Sequence, residues 1–394
     1  MKKILLTNLL VLCMSCNSPT KEITIESIKQ NDLTEVDFIH FGDERYFEKC
    51  FIVKLEAHDE SLLYGIDQLE IYKDQIYILD RQKKRLMVFD INGKYLHYIG
   101  KQGQGPEEYI SISAFYIDND IISLFDPMNQ AVIHYKTSGD FYKKTKRGDN
   151  QNIDFIRKVI PINNKELLAY SSTNWYNNAL YSIIDRDNYE TIRNIRYYPY
   201  ETKNATYYYS KQPFFKYNDE ILLGMLFSDT LFKYKSRTIL PEKIIENKQN
   251  ISSDLLQARL EENDGDYASV FYPMNIEGIY NTGVSNIFEN NRFLLCDFRS
   301  ETNLLNAILF DKLNNKSLYV KEYCHCYPDL GEFFIATDNT VVRIWTNNNL
   351  TFFKDMIEKD EKLKNKYPKS VIDLVNQYDL EEDNPMLIFY EFKK

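Results

Sequence analysis

Three groups of side chains in this chain have the types and spacing that chemistry uses. The first is Cys324-His325-Cys326, with Cys296 upstream. Thiols and imidazole are zinc ligands, but zinc sites space paired cysteines by about two to four residues. On an extended strand, Cys-x-Cys puts both thiols on one face and His325 on the other. The geometry is poor for a single ion, so no metal ligands are assigned, and disulfides or buried thiols are expected. The second group is Asp80 and Asp126, with Asp297 as a later counterpart. Converging carboxylates would bind calcium or another divalent cation. An Asp closing a strand also bonds the backbone amides of the next turn, and repetition at equal positions favours that structural role. The third is "GKQGQGPEEY", Gly100 to Tyr109. A phosphate loop needs Gly-Lys-Ser/Thr opening a helix, or G-x-G-x-x-G between strand and helix. Neither is present, and the β-branched and aromatic run "ISAFYID" that follows is a strand. The five histidines, His40, His58, His97, His134 and His325, form no H-E-x-x-H, and no serine sits in G-x-S-x-G.

The elements that must position these residues repeat. "QIYILDRQKKRLMVFDINGKYLHYI" from Gln75 aligns without a gap on "IISLFDPMNQAVIHYKTSGDFYKKT" from Ile121, at an offset of 46. Ile76 meets Ile122, Asp80 meets Asp126, Phe89 meets Tyr135 and Gly93 meets Gly139. Alternation within each run has the strand period of two. Asn92-Gly93 and Ser138-Gly139 read as hairpin turns, where positive φ is tolerated. Fainter copies cover Glu166 to Ile195, Ile221 to Ile245 and Arg292 to Glu322, and one begins at Glu332. Six such units of four strands predict an all-β, six-bladed β-propeller of antiparallel blades. "CFIVKLEA", Cys50 to Ala57, is the expected N-terminal partner of the last blade. "EITIESI" would add a strand, and Ser253 or Asp254 would cap a short helix. Residues Thr351 to Asp379 read as a helical excursion within the last blade, broken at Pro368, with Leu374 and Val375 facing the body and "PMLIFYEF" returning as a strand.

The chain is long enough for one large all-β domain or two ordinary domains, and its 31 Tyr and 24 Phe lean toward β. A net charge of −10 without a basic stripe argues against a nucleic-acid partner. Lys2 and Lys3 precede an apolar run, Ile4 to Met14, then Ser15-Cys16. This is the layout of a signal peptide over 1–15, and the run is too short to remain as a membrane span. Cys16 just after the cut resembles a bacterial lipoprotein signal, in which the thiol is acylated. The alternative is an ordinary cleaved signal with Cys16 incidental. The expected organisation is signal peptide 1–15, lipid-attached tether 16–45 and propeller 46–394, exported to the cell envelope and touching a membrane through the anchor only. An outer-membrane lipoprotein, facing the periplasm or the surface, is the expected form. Cys50, Cys296, Cys324 and Cys326 then remain, and four cysteines allow three pairings.

The string "IYILDRQKKRLMVFDINGKYLHYIGKQGQGPEEY" resembles an NHL-type propeller repeat. It is closer still to the six-bladed propeller lipoproteins common in Bacteroidetes. Those carry a G-x-x-G-x-GP-x-[EQ]-[YF] joint after an early outer strand, here Gly100, Gly103, Gly105, Pro106, Glu108 and Tyr109. The resemblance implies a fold and a structural joint between blades at these residues. It implies no activity, since that family is defined by its fold.

Two functions are compatible with these residues. One is a non-catalytic propeller that recognises or scaffolds a glycan, peptide or envelope protein. Its expected ligand-binding residues are Trp175, Tyr176, Tyr198, Tyr200 and Tyr208, in an unusually aromatic stretch from Asn174 to Tyr217. The other is a metal-dependent hydrolase or lyase, with a divalent cation in the central channel. The sequence favours the binding module, with no catalytic residue and no cofactor assigned.

Overall fold

The computed structural model describes residues 26–29, 44–146, 156–171, 179–197, 212–225, 228–246, 252–264, 266, 269–270, 283–299, 305–320, 333–337, 339–365, 367–379 and 382–394. Two strands precede the blades, β1 (Glu26–Lys29) and β2 (Phe47–Lys54). Blade one is β3 (Gln68–Tyr72), β4 (Gln75–Asp80), β5 (Arg85–Asp90) and β6 (Tyr95–Tyr98). Blade two is β7 (Ala114–Asp118), β8 (Ile121–Asp126), β9 (Ala131–Lys136) and β10 (Phe141–Lys146). Blade three is β11 (Ile156–Pro161), β12 (Glu166–Ser171), β13 (Ala179–Asp185) and β14 (Thr191–Tyr197). Blade four is β15 (Phe214–Tyr217), β16 (Glu220–Leu223), β17 (Thr230–Lys235) and β18 (Thr238–Glu246). Blade five is β19 (Val284–Glu289), β20 (Phe293–Arg299), β21 (Leu305–Asp311) and β22 (Lys316–Val320). Blade six is β23 (Phe333–Thr337), β24 (Thr340–Trp345) and β25 (Met386–Phe392), completed by β2. The fold is the six-bladed propeller of four-stranded antiparallel blades that the repeat predicts.

The period-two alternation explains why blades stack. On β4, Ile76 and Ile78 join a core with Leu387 and Phe389 of blade six. Tyr77 and Leu79, one residue out of phase, join a core with Phe115 and Leu124 of blade two. Each face thus belongs to a different interface, and burying one such side chain stabilises by about 1.5–3 kcal/mol. The hairpins between first and second strands carry paired left-handed residues: Lys73-Asp74, Asn119-Asp120 and Asn218-Asp219. Two successive positive φ values make the two-residue turn whose twist matches the strands.

The ring closes between distant parts of the chain. β2 pairs antiparallel with β25, with Phe51 opposite Phe389 and Val53 opposite Leu387. This is the partner read from "CFIVKLEA". Within the stretch read as a tether, β1 pairs parallel with β18, Glu26 opposite Lys243, giving blade four a fifth strand. The helix between blades four and five, α1 (Ser253–Glu262), is capped by Ser252 rather than Ser253 or Asp254: the Ser252 side chain accepts from Leu255 N. An N-cap must stay extended to reach back to the third helical amide, and Ser252 has that conformation.

Between β24 and β25 lie α2 (Asn347–Lys359), α3 (Glu361–Lys364) and α4 (Lys369–Asn376). Thr346 and Asn349 form a reciprocal capping box on α2. α4 starts directly after Pro368; Val375 is fully buried and Leu374 packs part-buried on the core. No helix among the described residues is long and apolar enough to cross a membrane.

Candidate functional site

First strands of neighbouring blades pack on one another, β7 on β11, β3 on β23, and β15 and β23 on β19, so they line the axis. There the sequence places charges and amides. Lys158 on β11 donates from Nζ to Gln212 Oε1 at 2.6 Å and pairs with Glu70 Oε1 at 3.3 Å. Glu70 is on β3 and Gln212 stands just before β15. The lysine therefore joins blades one, three and four, reaching past blade two. Gln68, two residues before Glu70, donates from Nε2 to Phe115 O at 2.8 Å and accepts from Phe115 N at 3.2 Å. Its amide acts as a strand partner for the first strand of blade two.

Nearer the start of these strands, Arg81 does similar work. Its Nε donates to Ser113 O at 2.9 Å, Nη1 to Asp67 Oδ1 at 3.3 Å and Nη2 to Arg157 O at 3.4 Å. Blades one, two and three meet at that guanidinium. A rigid planar fork suits three separate acceptors. Spacing along the chain did not reveal Glu70, Gln68, Arg81, Lys158 or Gln212, because they come together only on closure of the ring. The one available signal was Arg157-Lys158, two charges inside the apolar run "FIRKVIPI".

The Gly100 to Tyr109 segment joins β6 to β7. Gly100 has φ +69°, and a Cβ there would meet the Tyr135 ring. Gly103 N donates to Tyr109 O at 2.8 Å, and Tyr109 N to Lys101 O at 3.1 Å. Gly105 N donates to Glu108 Oε2 at 2.9 Å. Pro106, without an N–H, lies between. These amides are spent within the segment. The Gly105 hydrogen bond and then Lys101 hold the Glu108 carboxyl below the usual carboxylate range. Tyr109 is buried, which pushes its phenol up.

Asp80 and Asp126 are fully buried. Asp80 accepts from Tyr64 N at 2.6 Å and Lys83 N at 2.9 Å. Asp126 accepts from Ile110 N at 2.9 Å, Ser111 N at 3.2 Å and Asn129 Nδ2 at 2.7 Å. Each carboxylate ties the incoming strand connection to the turn that follows. Among the described residues no three His, Cys, Asp or Glu side chains are grouped to hold a metal ion.

Among the described residues one serine hydroxyl bonds a histidine ring, Ser123 Oγ to His134 Nδ1 at 2.9 Å. His134 Nε2 faces Thr145 Oγ1 at 3.4 Å and Tyr189 OH at 3.5 Å, and Tyr189 OH bonds Tyr116 OH at 3.0 Å. Burial, then Lys143 and Arg186, lower the His134 pKa to about 4. The imidazole and the serine are both buried, 3% and 2% exposed, where blades two and three meet.

Cys50 is half-buried on β2 and Cys296 is buried on β20. Trp175, Tyr176, Tyr198, Tyr200 and Tyr208 lie outside the described residues, as do Cys16, Cys324, His325 and Cys326.

Among curated proteins nothing matches the chain. Two of the solved structures that share the fold come from Bacteroides. A candidate exported protein of Bacteroides fragilis is 19% identical, with a TM-score of 0.71, over 94% of this chain and 100% of that one. A DUF4221 family member of Bacteroides vulgatus is 12% identical, with a TM-score of 0.51, over 91% of this chain and 98% of that one. The model of a domain of unknown function, DUF4934, matches residues 27–391, and the chain belongs to that family.

Proposed function

We propose that this protein is a non-catalytic propeller of the cell envelope, exported and anchored through Cys16, that binds a glycan, peptide or partner protein on one rim. The observation that carries this reading is the state of the axis. Lys158 is matched by Glu70, and Arg81 is committed to Asp67 and two backbone carbonyls. Charges balanced across three blades stiffen a ring and display its loops; among the described residues these axis charges are paired with one another or with backbone rather than held as a nucleophile or base. The stretch from Asn174 to Tyr217 supplies the aromatic surface, with Trp175, Tyr176, Tyr198, Tyr200 and Tyr208 as stacking groups for sugar rings or peptide side chains. The layout Lys2-Lys3, Ile4 to Met14 and Ser15-Cys16 supports export and lipid attachment.

The test joins binding with metal content. Protein starting after Asn17 is screened against glycans and peptides and assayed for bound metal by elemental analysis. Saturable binding without turnover, lost in Trp175→Ala and Tyr208→Ala, is expected. One tightly held divalent cation per chain, needed for turnover of a bound ligand, overturns the reading in favour of a channel enzyme.

A further inference from the structure

The axis contains two neighbouring buried groups with hydrogen-bonding capacity to spare. Gln212 is 2% exposed, and its Nε2 has no hydrogen-bond partner among the described residues. Its orientation is chemically determined. Oε1 receives the Lys158 ammonium at 2.6 Å, and turning the amide over would press its NH2 against a group with no acceptor. Lys158 is 5% exposed. Its ammonium has three N–H donors, while its contacts are Gln212 Oε1 and Glu70 Oε1. Buried donors are rarely left without an acceptor, because burial removes the water that would otherwise serve. The Glu70 side chain, 30% exposed, marks the side on which this cluster opens.

Charge decides what kind of acceptor fits. The Lys158 cation is already balanced by Glu70, whose Oε1 also accepts from Gln68 Nε2 at 3.3 Å. A carboxylate entering here would place a second anion beside Glu70 at low dielectric, where like charges repel strongly. A neutral carbonyl oxygen satisfies the donors and leaves the balance intact. We propose that the propeller axis binds the carbonyl oxygen of a neutral carboxamide, an acetamido or peptide amide group, on Gln212 Nε2 and the spare donor of Lys158. The inference stands apart from the rim: it requires an open axis and does not depend on which ligand the aromatic segment takes.

The whole chain is titrated by ligand-observed NMR with three probes: N-acetylglucosamine, N-acetylglycinamide and acetate. At least one carboxamide probe should saturate, binding no less than tenfold tighter than acetate; which of the two does so separates a sugar source from a peptide source. Gln212→Glu keeps an acceptor for Lys158 and removes the Nε2 donor. It should fold and lose carboxamide binding at least tenfold, while rim binding persists. Gln212→Leu repeats the test without the new charge. Acetate binding as tightly as the carboxamides overturns the proposal, as does binding that survives both substitutions. A high-resolution map of wild-type protein soaked in the carboxamides that shows only a water on Nε2 overturns it without any variant.

Discussion

Tyr135 closes over Gly100. A Cβ at position 100 would lie 2.5 Å from the ring Cζ, while the same tyrosine's hydroxyl donates to Glu107 O at 2.5 Å. Blade two thus clamps the connection from blade one at two points, Gly100 and Glu107, with the tip of one side chain. Gly100 also has φ +69°. Gly100→Ala should therefore cost about 1–2 kcal/mol for the left-handed conformation and about 1–3 kcal/mol for overpacking. Tyr135→Phe, which keeps the ring, should cost only about 1 kcal/mol. Urea unfolding of both variants checks the order. A Gly100→Ala midpoint equal to that of wild type would show that the clamp gives way without strain.

The carboxylates at the ends of β4 and β8 carry a similar expectation. Asp126→Ala strips the acceptor from Ile110 N, Ser111 N and Asn129 Nδ2 at once. Unpaired buried donors cost about 1–3 kcal/mol each, so the loss should reach about 3–5 kcal/mol after partial relaxation. Asp80→Ala should behave alike, having lost Tyr64 N and Lys83 N. Because the oxygens are occupied by amides, calcium or a chelator should leave the wild-type midpoint unchanged. A calcium-dependent rise that vanishes in Asp126→Ala would return these residues to the role of cation ligands.

The fold was legible because local pattern and global closure agree in this chain. Ile76 and Tyr77 announce a two-faced strand by alternation alone, and the gapless match of Ile76 on Ile122 shows that the unit recurs. Even the closing strand was visible, since "CFIVKLEA" is an apolar run with no partner inside the first unit. The capping residue was missed by one position because Ser252, Ser253 and Asp254 all have capping side chains, and only backbone conformation separates them. The axis was not legible. Glu70 and Lys158 are two blades apart, and nothing local in either strand says that a charge there meets an opposite charge. Only the angular order of blades brings them to 3.3 Å. The aromatic stretch chosen for ligand binding raises the converse difficulty: composition marks it, but aromatic residues serve interfaces between blades and exposed rims equally well.

Closure and the fifth strand can be separated by truncation. β2 supplies Phe51, stacked on Phe389 at 4.8 Å, and Phe47, packed on Tyr390 and Phe392. Removing residues through 58 strips that strand and leaves β25 with a row of unpaired backbone groups, an edge that invites aggregation. Among the described residues, removing those through 43 takes only β1, four residues paired at the outer edge of blade four. The shorter truncation should keep one cooperative thermal transition, at a lower midpoint. The longer one should give no cooperative transition and should aggregate. If both unfold alike, β1 contributes to closing the ring as much as β2 does.

His134 should make the interface of blades two and three sensitive to acid. The imidazole is 3% exposed, and its pKa falls from 6.5 to about 4, chiefly through burial, then through Lys143 and Arg186. Arg186 is itself paired with Asp118 across the same interface, and Tyr116 and Tyr189 face the ring side of the network. In the fold the imidazole stays neutral down to about pH 4, whereas in the unfolded chain it takes up a proton near 6.5. Between those values the unfolded state binds more protons, so stability falls as pH falls. Above about 6.5 both states are neutral and the contribution is fully present. At about 1.4 kcal/mol per unit, the loss approaches 3 kcal/mol by pH 4. His134→Phe keeps the ring volume and removes the titration. It should lower stability at pH 7 through the lost Ser123 bond while flattening the slope between pH 6.5 and 4 relative to wild type. Carboxylates titrate in the same window, so the difference between the two slopes is the quantity to read. An NMR midpoint for His134 near 6.5 in the folded protein would mean that the imidazole is hydrated, and the acid sensitivity would have to lie elsewhere.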